Sequence, residues 1–103
     1  MQYRIYRNLS NSESYPYLLD VQSDIIDVLT TRLVIPLFPL KLTHTRPPER
    51  LCPAIETENE QYLVMTHEMA SVTQTLLGNE VMDAQPRRQQ IKEAIDFLVD
   101  GFF

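Results

Sequence analysis

The sequence predicts a mainly β domain closed by one C-terminal α-helix, on three observations. Short segments with period-two alternation of aromatic and β-branched residues recur from the start of the chain to about residue 80. Prolines and polar turns cut these segments before any of them reaches helical length. Only "DAQPRRQQIKEAIDFLVDG" (residues 83–101) carries apolar residues at helical spacing. At 103 residues, 44% hydrophobic and 22% charged, the chain is expected to form a single globular domain over residues 1–103.

The elements follow in order. "QYRIYR" sets Tyr3 and Ile5 against Gln2 and Arg4, and "YPYLLDVQ" sets Tyr17, Leu19 and Val21 against Leu18, Asp20 and Gln22; both read as strands. The polar "NLSNSESYP" between them suits a hairpin loop and is a candidate contact loop. "TTRLVIPLFPLKLT" is strand-like, but Pro36 and Pro39 lack the N–H that a ladder needs, so a bent or interrupted strand is expected. After the loop "HTRPPERLCP", the segments "AIET" and "QYLVMT" read as a hairpin around the short polar "ENE", and "MASVTQTLLGN" continues with a turn and a further strand. In the final segment Asp83 is placed to cap, Pro86 to sit in the first turn and Gly101 to stop the helix. Ile91, Ile95 and Leu98 form the stripe expected to face the sheet.

Composition excludes several classes. The amino end carries charges where a signal peptide needs an apolar stretch, and no apolar run approaches a membrane span, so a cytoplasmic address without membrane contact is expected. Cys52 is the only cysteine, which excludes an internal disulfide and a paired-cysteine zinc site; it reads as a small, partly buried apolar residue. Met65 and Met69 read as core fillers. With a net charge of −5 and nine scattered basic residues, nucleic-acid binding by this chain alone is disfavoured. The pairs Arg46/Arg50 and Arg87/Arg88 read as solvated faces. Two glycines leave no phosphate-cradling loop, and neither paired histidines at metal spacing nor a Ser/His/Asp arrangement is present. No cofactor, metal or catalytic residue is implied.

The helix breaks a local rule at its end. Glu93, Asp96 and Asp100 are like charges at three- and four-residue spacing near the carbonyl-rich end of the dipole. Each such clash costs about a few tenths of a kcal/mol. Two phenylalanines, Phe102 and Phe103, follow. Helix physics alone is satisfied by solvated carboxylates; a docking surface of acidic and aromatic groups is the functional reading.

The stretch "DVQSDIIDVLTTRLVIPL" (residues 20–37) resembles the CcdB family, the toxins of bacterial toxin–antitoxin pairs. The resemblance runs from "MQYRIY" through "MTHEMASV" to the C-terminal helix and is specific as an ensemble. It implies an SH3-like barrel of the kind shared by CcdB and MazF toxins, with one C-terminal helix, and a homodimer. It also implies a non-enzymatic action, in which the dimer enters the DNA gyrase A subunit and holds gyrase on cleaved DNA.

Carried over by position, the gyrase contacts are Ser23, Ile25 and Ile26 and, at the helix end, Asp96, Val99, Asp100, Gly101, Phe102 and Phe103. A CcdA-like antitoxin with a disordered segment is expected on Tyr6, Asn8, Ser10, Glu13, Tyr15 and Arg46. Operator DNA is expected as a partner only through the toxin–antitoxin complex, which suits an acidic toxin.

One position departs from the family pattern. Members that poison gyrase typically carry tryptophan before the C-terminal glycine, where this chain has Asp100. A carboxylate there must be hydrated or paired with a cation, whereas an indole packs flat. Three readings stay open: weakened action, a match to a gyrase with a basic residue opposite, or an aromatic anchor moved to Phe102 or Phe103. A MazF-like endoribonuclease on the same fold is the alternative function, drawing on His44, His67, Arg46 or Arg50.

Overall fold

In a computed structural model, which describes residues 1–10, 13–26 and 30–101, the chain is a curled antiparallel sheet with one C-terminal helix. The strands are β1 (Arg4–Asn8), β2 (Tyr17–Asp20), β3 (Thr31–Pro39), β4 (Ala54–Thr57), β5 (Glu60–Val64), β6 (Ala70–Thr73) and β7 (Leu77–Asp83). The helix α1 spans Arg88–Asp100. The strand order is β4-β5-β3-β2-β1-β7, with β6 also paired to β3. This is the predicted mainly β, SH3-like barrel architecture.

β3 organises the sheet. One edge pairs along β2, and the other is shared: Thr31–Val34 pair with β6 and Leu37–Pro39 with β5. Pro36 falls between the two partners. Its carbonyl accepts the Met65 N–H at 3.1 Å, so its missing N–H is aimed at the gap where one partner strand has ended and the other has not begun. The strand therefore runs unbroken through Pro36, where its partner changes, and ends at Pro39.

The core gathers Ile5, Leu19, Ile35, Leu37, Val64 and the helix residue Ile91, with Tyr17 and Tyr62 edge to face at 5.2 Å between centroids. β2 differs from the expected alternation, since Leu18 and Asp20 are buried as well as Tyr17 and Leu19. A strand between two others, covered on both faces, has no solvent side.

The β4–β5 loop is shorter than expected. It consists of Glu58 and Asn59 alone, at φ 51° and 69°, with Glu60 already in the strand. Left-handed backbone at both positions is what a two-residue hairpin of this twist requires. Glutamate tolerates it here because its carboxylate is held by Arg7 at 3.0 Å and by the Tyr17 hydroxyl.

The helix also starts later than expected. Asp83 Oδ1 accepts the Gln85 N–H at 2.9 Å ahead of a 3-10 turn, Gln85–Arg87, that carries Pro86 and leads into α1; the N-cap positions are Ala84 for the turn and Arg87 for α1, so Asp83 is not the helix cap expected. Ile91 and Ala94 are buried and Ile95 packs on the core, but Leu98 is 38% exposed, so the apolar stripe leaves the sheet in the last turn. Gly101 stops the helix at φ 83° as predicted.

Candidate functional site

The first group of predicted contact residues forms a 3-10 turn, Asp24–Ile26, after β2. The Ile25 N–H donates to Ser23 Oγ at 3.2 Å and the Ile26 N–H to the Ser23 carbonyl at 3.1 Å, so Ser23 closes the turn from its inner side. Ile25 is left 92% exposed and Ile26 is also exposed. An isoleucine so fully in water gains nothing from folding and is available to a partner.

Beneath this turn lies a buried ionic cluster. Asp20 is fully buried and Arg32 is 5% exposed. Asp20 pairs across the ladder with Val34, which places Arg32 two residues along on the same face, the diagonal neighbour. Arg32 Nε donates to Asp20 Oδ2 at 2.8 Å. The Met1 ammonium shares that carboxylate at 3.1 Å and also donates to the Tyr6 hydroxyl at 2.8 Å. The hydrogen bond to Asp20, more than the nearby charges, pushes the Arg32 guanidinium above its already high range.

The second group sits on the last turn of α1. Asp96, Val99, Asp100 and Gly101 are exposed, Val99 at 74%. Phe102 and Phe103 lie outside the described residues. The two groups are held by different parts of the fold. The turn is tied to Gln2, Gln22 and Arg32, whereas Arg50 from the β3–β4 loop lies over the Phe97 ring of the helix end, 5.1 Å from its centroid.

A cleft of about 620 Å³ between that loop and α1 is lined by Glu49, Arg50, Gln89, Gln90, Glu93 and Asp96, so Asp96 stands at its rim. A second cleft of about 350 Å³ brings His44 and His67 together with Thr43, Thr45 and Phe38. Cys52 is fully buried rather than partly so, 3.6 Å from His67 Nδ1, and burial raises its thiol above the usual range. Among the described residues no group of three or more His, Cys, Asp or Glu is placed to hold a metal ion. Nor is any described helix long and apolar enough to cross a membrane.

Of the residues predicted for a second partner, three come together. Asn8 Nδ2 donates to the Tyr15 carbonyl at 2.8 Å, and Asn8 Oδ1 accepts the Ser10 N–H at 3.0 Å. Tyr15 meets Phe38 edge on at 6.0 Å between centroids, and Glu13 is exposed in the same loop. Arg46 is exposed on the β3–β4 loop, while Tyr6 is engaged by the Met1 ammonium. The Asp20–Arg32 cluster under the turn was missed by sequence reasoning. Its signal was an aspartate inside an apolar strand, with an arginine opening the next one.

Fold and surface together describe a small SH3-like barrel that displays apolar residues at a turn and at a helix end. The family model described as CcdB protein matches residues 2–101. The chain belongs to the CcdB family, a family of toxins from toxin–antitoxin pairs. Among solved structures it is similar to one described as an endoribonuclease in complex with its cognate antitoxin from Mycobacterial species. That match has a TM-score of 0.75 and 14% identity, covering 100% of this chain and 97% of that chain. At that identity the likeness is one of fold.

Proposed function

We propose that this protein acts as a homodimer that binds the DNA gyrase A subunit and traps gyrase on cleaved DNA, and that it does so as a binder, without catalysis. The observation that carries the reading is the exposure of Ile25 at 92% and Val99 at 74%. They lie in the two stretches to which the family resemblance assigns target contacts. Apolar side chains left in water gain their burial energy only when a partner covers them, and such display marks a contact surface. A two-fold dimer would present each stretch twice to a two-fold target.

The antitoxin reading is supported by the Asn8–Ser10–Tyr15 group and by the solved neighbour, which is described with its cognate antitoxin. A disordered segment folding onto that loop would neutralise the toxin, and operator DNA would be reached through the antitoxin. At position 100 we favour altered contact with retained gyrase affinity, because Asp96, Val99 and Gly101 are displayed beside it.

Expression from a tightly controlled promoter tests target and toxicity together. Growth arrest is expected in cells with an unaltered gyrase A subunit and relief in cells altered at the contact region. Equal arrest in both would overturn the reading. An endoribonuclease is the second reading, favoured by the presence of both His44 and His67 in the lining of one cleft. Purified protein is expected to leave RNA intact; cleavage without gyrase would promote this second reading to first.

A further inference from the structure

We propose that Arg32 is a positioning residue that fixes the 23–26 turn in the shape that presents Ile25. Residues 20–26 wrap around its guanidinium. Besides the two bonds to Asp20, at 2.8 and 3.2 Å, one terminal nitrogen donates to the Gln22 carbonyl at 3.2 Å and to Asp24 Oδ1 at 3.2 Å. The Asp24 carboxylate in turn accepts the Gln2 N–H at 3.1 Å.

Gln22 closes the other side. Its Nε2 donates to the Ile26 carbonyl at 2.7 Å, and its Oε1 accepts the Leu33 N–H at 3.0 Å. The chain is thus gripped at residues 20, 22, 24 and 26, the last through its carbonyl, and the side chains left outside the grip include Ile26, at 47% exposed, and above all Ile25, at 92%.

The chemistry selects arginine. A planar fork with several donors can hold acceptors from three residues at fixed angles, whereas a lysine ammonium is a point charge on a flexible stem. Core stability does not account for the arrangement, since a buried ion pair is often matched by an apolar pair of the same volume. Half of the cluster is also not core: Asp24 is 51% exposed. A half-exposed carboxylate that joins the guanidinium to the Gln2 backbone adds order to the turn and little to the interior.

The inference rests on the gyrase reading for its partner, though not for its geometry, and the test separates the two. Asp24→Ala removes the outer bonds and leaves the Asp20–Arg32 pair intact. Order parameters at Ile25 and Ile26 in the full chain are expected to fall from about 0.85 to below about 0.6, with Leu19 and Ile35 unchanged. Affinity for purified gyrase A subunit is expected to weaken at least about tenfold, about 1.4 kcal/mol. In an Ile25→Ala background the same substitution is expected to cost no further affinity, because its effect runs through Ile25. Asp24→Asn, which keeps an acceptor for Arg32, is expected to restore most of both signals.

Unchanged order at residues 25 and 26 in Asp24→Ala would overturn the proposal whatever the affinity. An equal loss of affinity in the Ile25→Ala background would overturn it too. A looser turn in a protein whose unsubstituted form does not bind gyrase A would support the positioning role and sink the gyrase reading alone.

Discussion

The Gly101 N–H donates to the Phe97 carbonyl oxygen at 2.8 Å, with Gly101 in the left-handed region at φ 83°. This bond ends α1 at Asp100, with Gly101 as its C-cap, and fixes the last turn on which Val99 and Asp100 are displayed. Among the described residues a β-carbon on Gly101 would meet no atom within 4 Å, so the cost of substitution expected there is one of backbone conformation.

Gly101→Ala is therefore expected to lower stability by about 1 kcal/mol through its positive φ. Chemical denaturation checks it. A neutral substitution would mean that the helix does not end in this left-handed stop.

Asp100→Trp removes a carboxylate from the negative end of the helix dipole and restores an aromatic surface of the family type. Since Asp100 is exposed, the melting temperature is expected to change little. Binding to a gyrase A subunit of the commonly poisoned type is expected to tighten by about 1–2 kcal/mol if the ring becomes an anchor. Titration calorimetry reads it, and unchanged affinity would place residue 100 outside the interface.

Asp20→Ala leaves a buried guanidinium with its main acceptor gone, and a loss of about 3–5 kcal/mol is expected, as for other broken buried pairs. Arg7→Ala breaks the surface pair with Glu58, 3.0 Å long between half-exposed side chains, and is expected to cost under about 1 kcal/mol. Urea denaturation of both variants gives the contrast. Similar losses would mean that the Asp20–Arg32 pair is solvated in solution.

Local patterns made much of this fold legible in the sequence. Alternation located most strands, and Gly101 after a helical stripe located the helix end, because these signals reside in neighbouring residues. What stayed hidden depends on partners distant in the chain. Pro36 looked like a break until β6 and β5 shared one edge of β3 around it. Glu58 looked like ordinary loop until Arg7 and Tyr17 were found holding it in a left-handed turn. The contact stretches were named by family likeness, while their exposure and the Arg32 cluster beneath the turn required the folded chain.

Tyr17 gives a pH signature. Burial first, and then its hydrogen bond to Glu58, push its hydroxyl from 10.0 up to about 12. The folded state thus holds this proton more tightly than the unfolded chain. Its contribution to stability is complete below pH 10 and is lost as pH rises from about 10 to about 12. Tyr17→Phe is expected to flatten the alkaline fall over that interval, leaving the smaller share of Tyr3, Tyr6, Tyr15 and Tyr62, which burial also raises. Melting temperatures recorded from pH 9 to about 12 check this; an unchanged alkaline slope would remove Tyr17 as its source.

The displayed turn and helix end are proposed to hold gyrase on broken DNA. Purified protein, gyrase, ATP and supercoiled plasmid, stopped with detergent and protease, test it most directly. Linear DNA is predicted to accumulate with the unsubstituted protein and to fall markedly with Ile25→Ala combined with Val99→Ala, both exposed positions at which the fold should be unaffected. Absence of linear DNA with the unsubstituted protein, or equal amounts with the double variant, would contradict it.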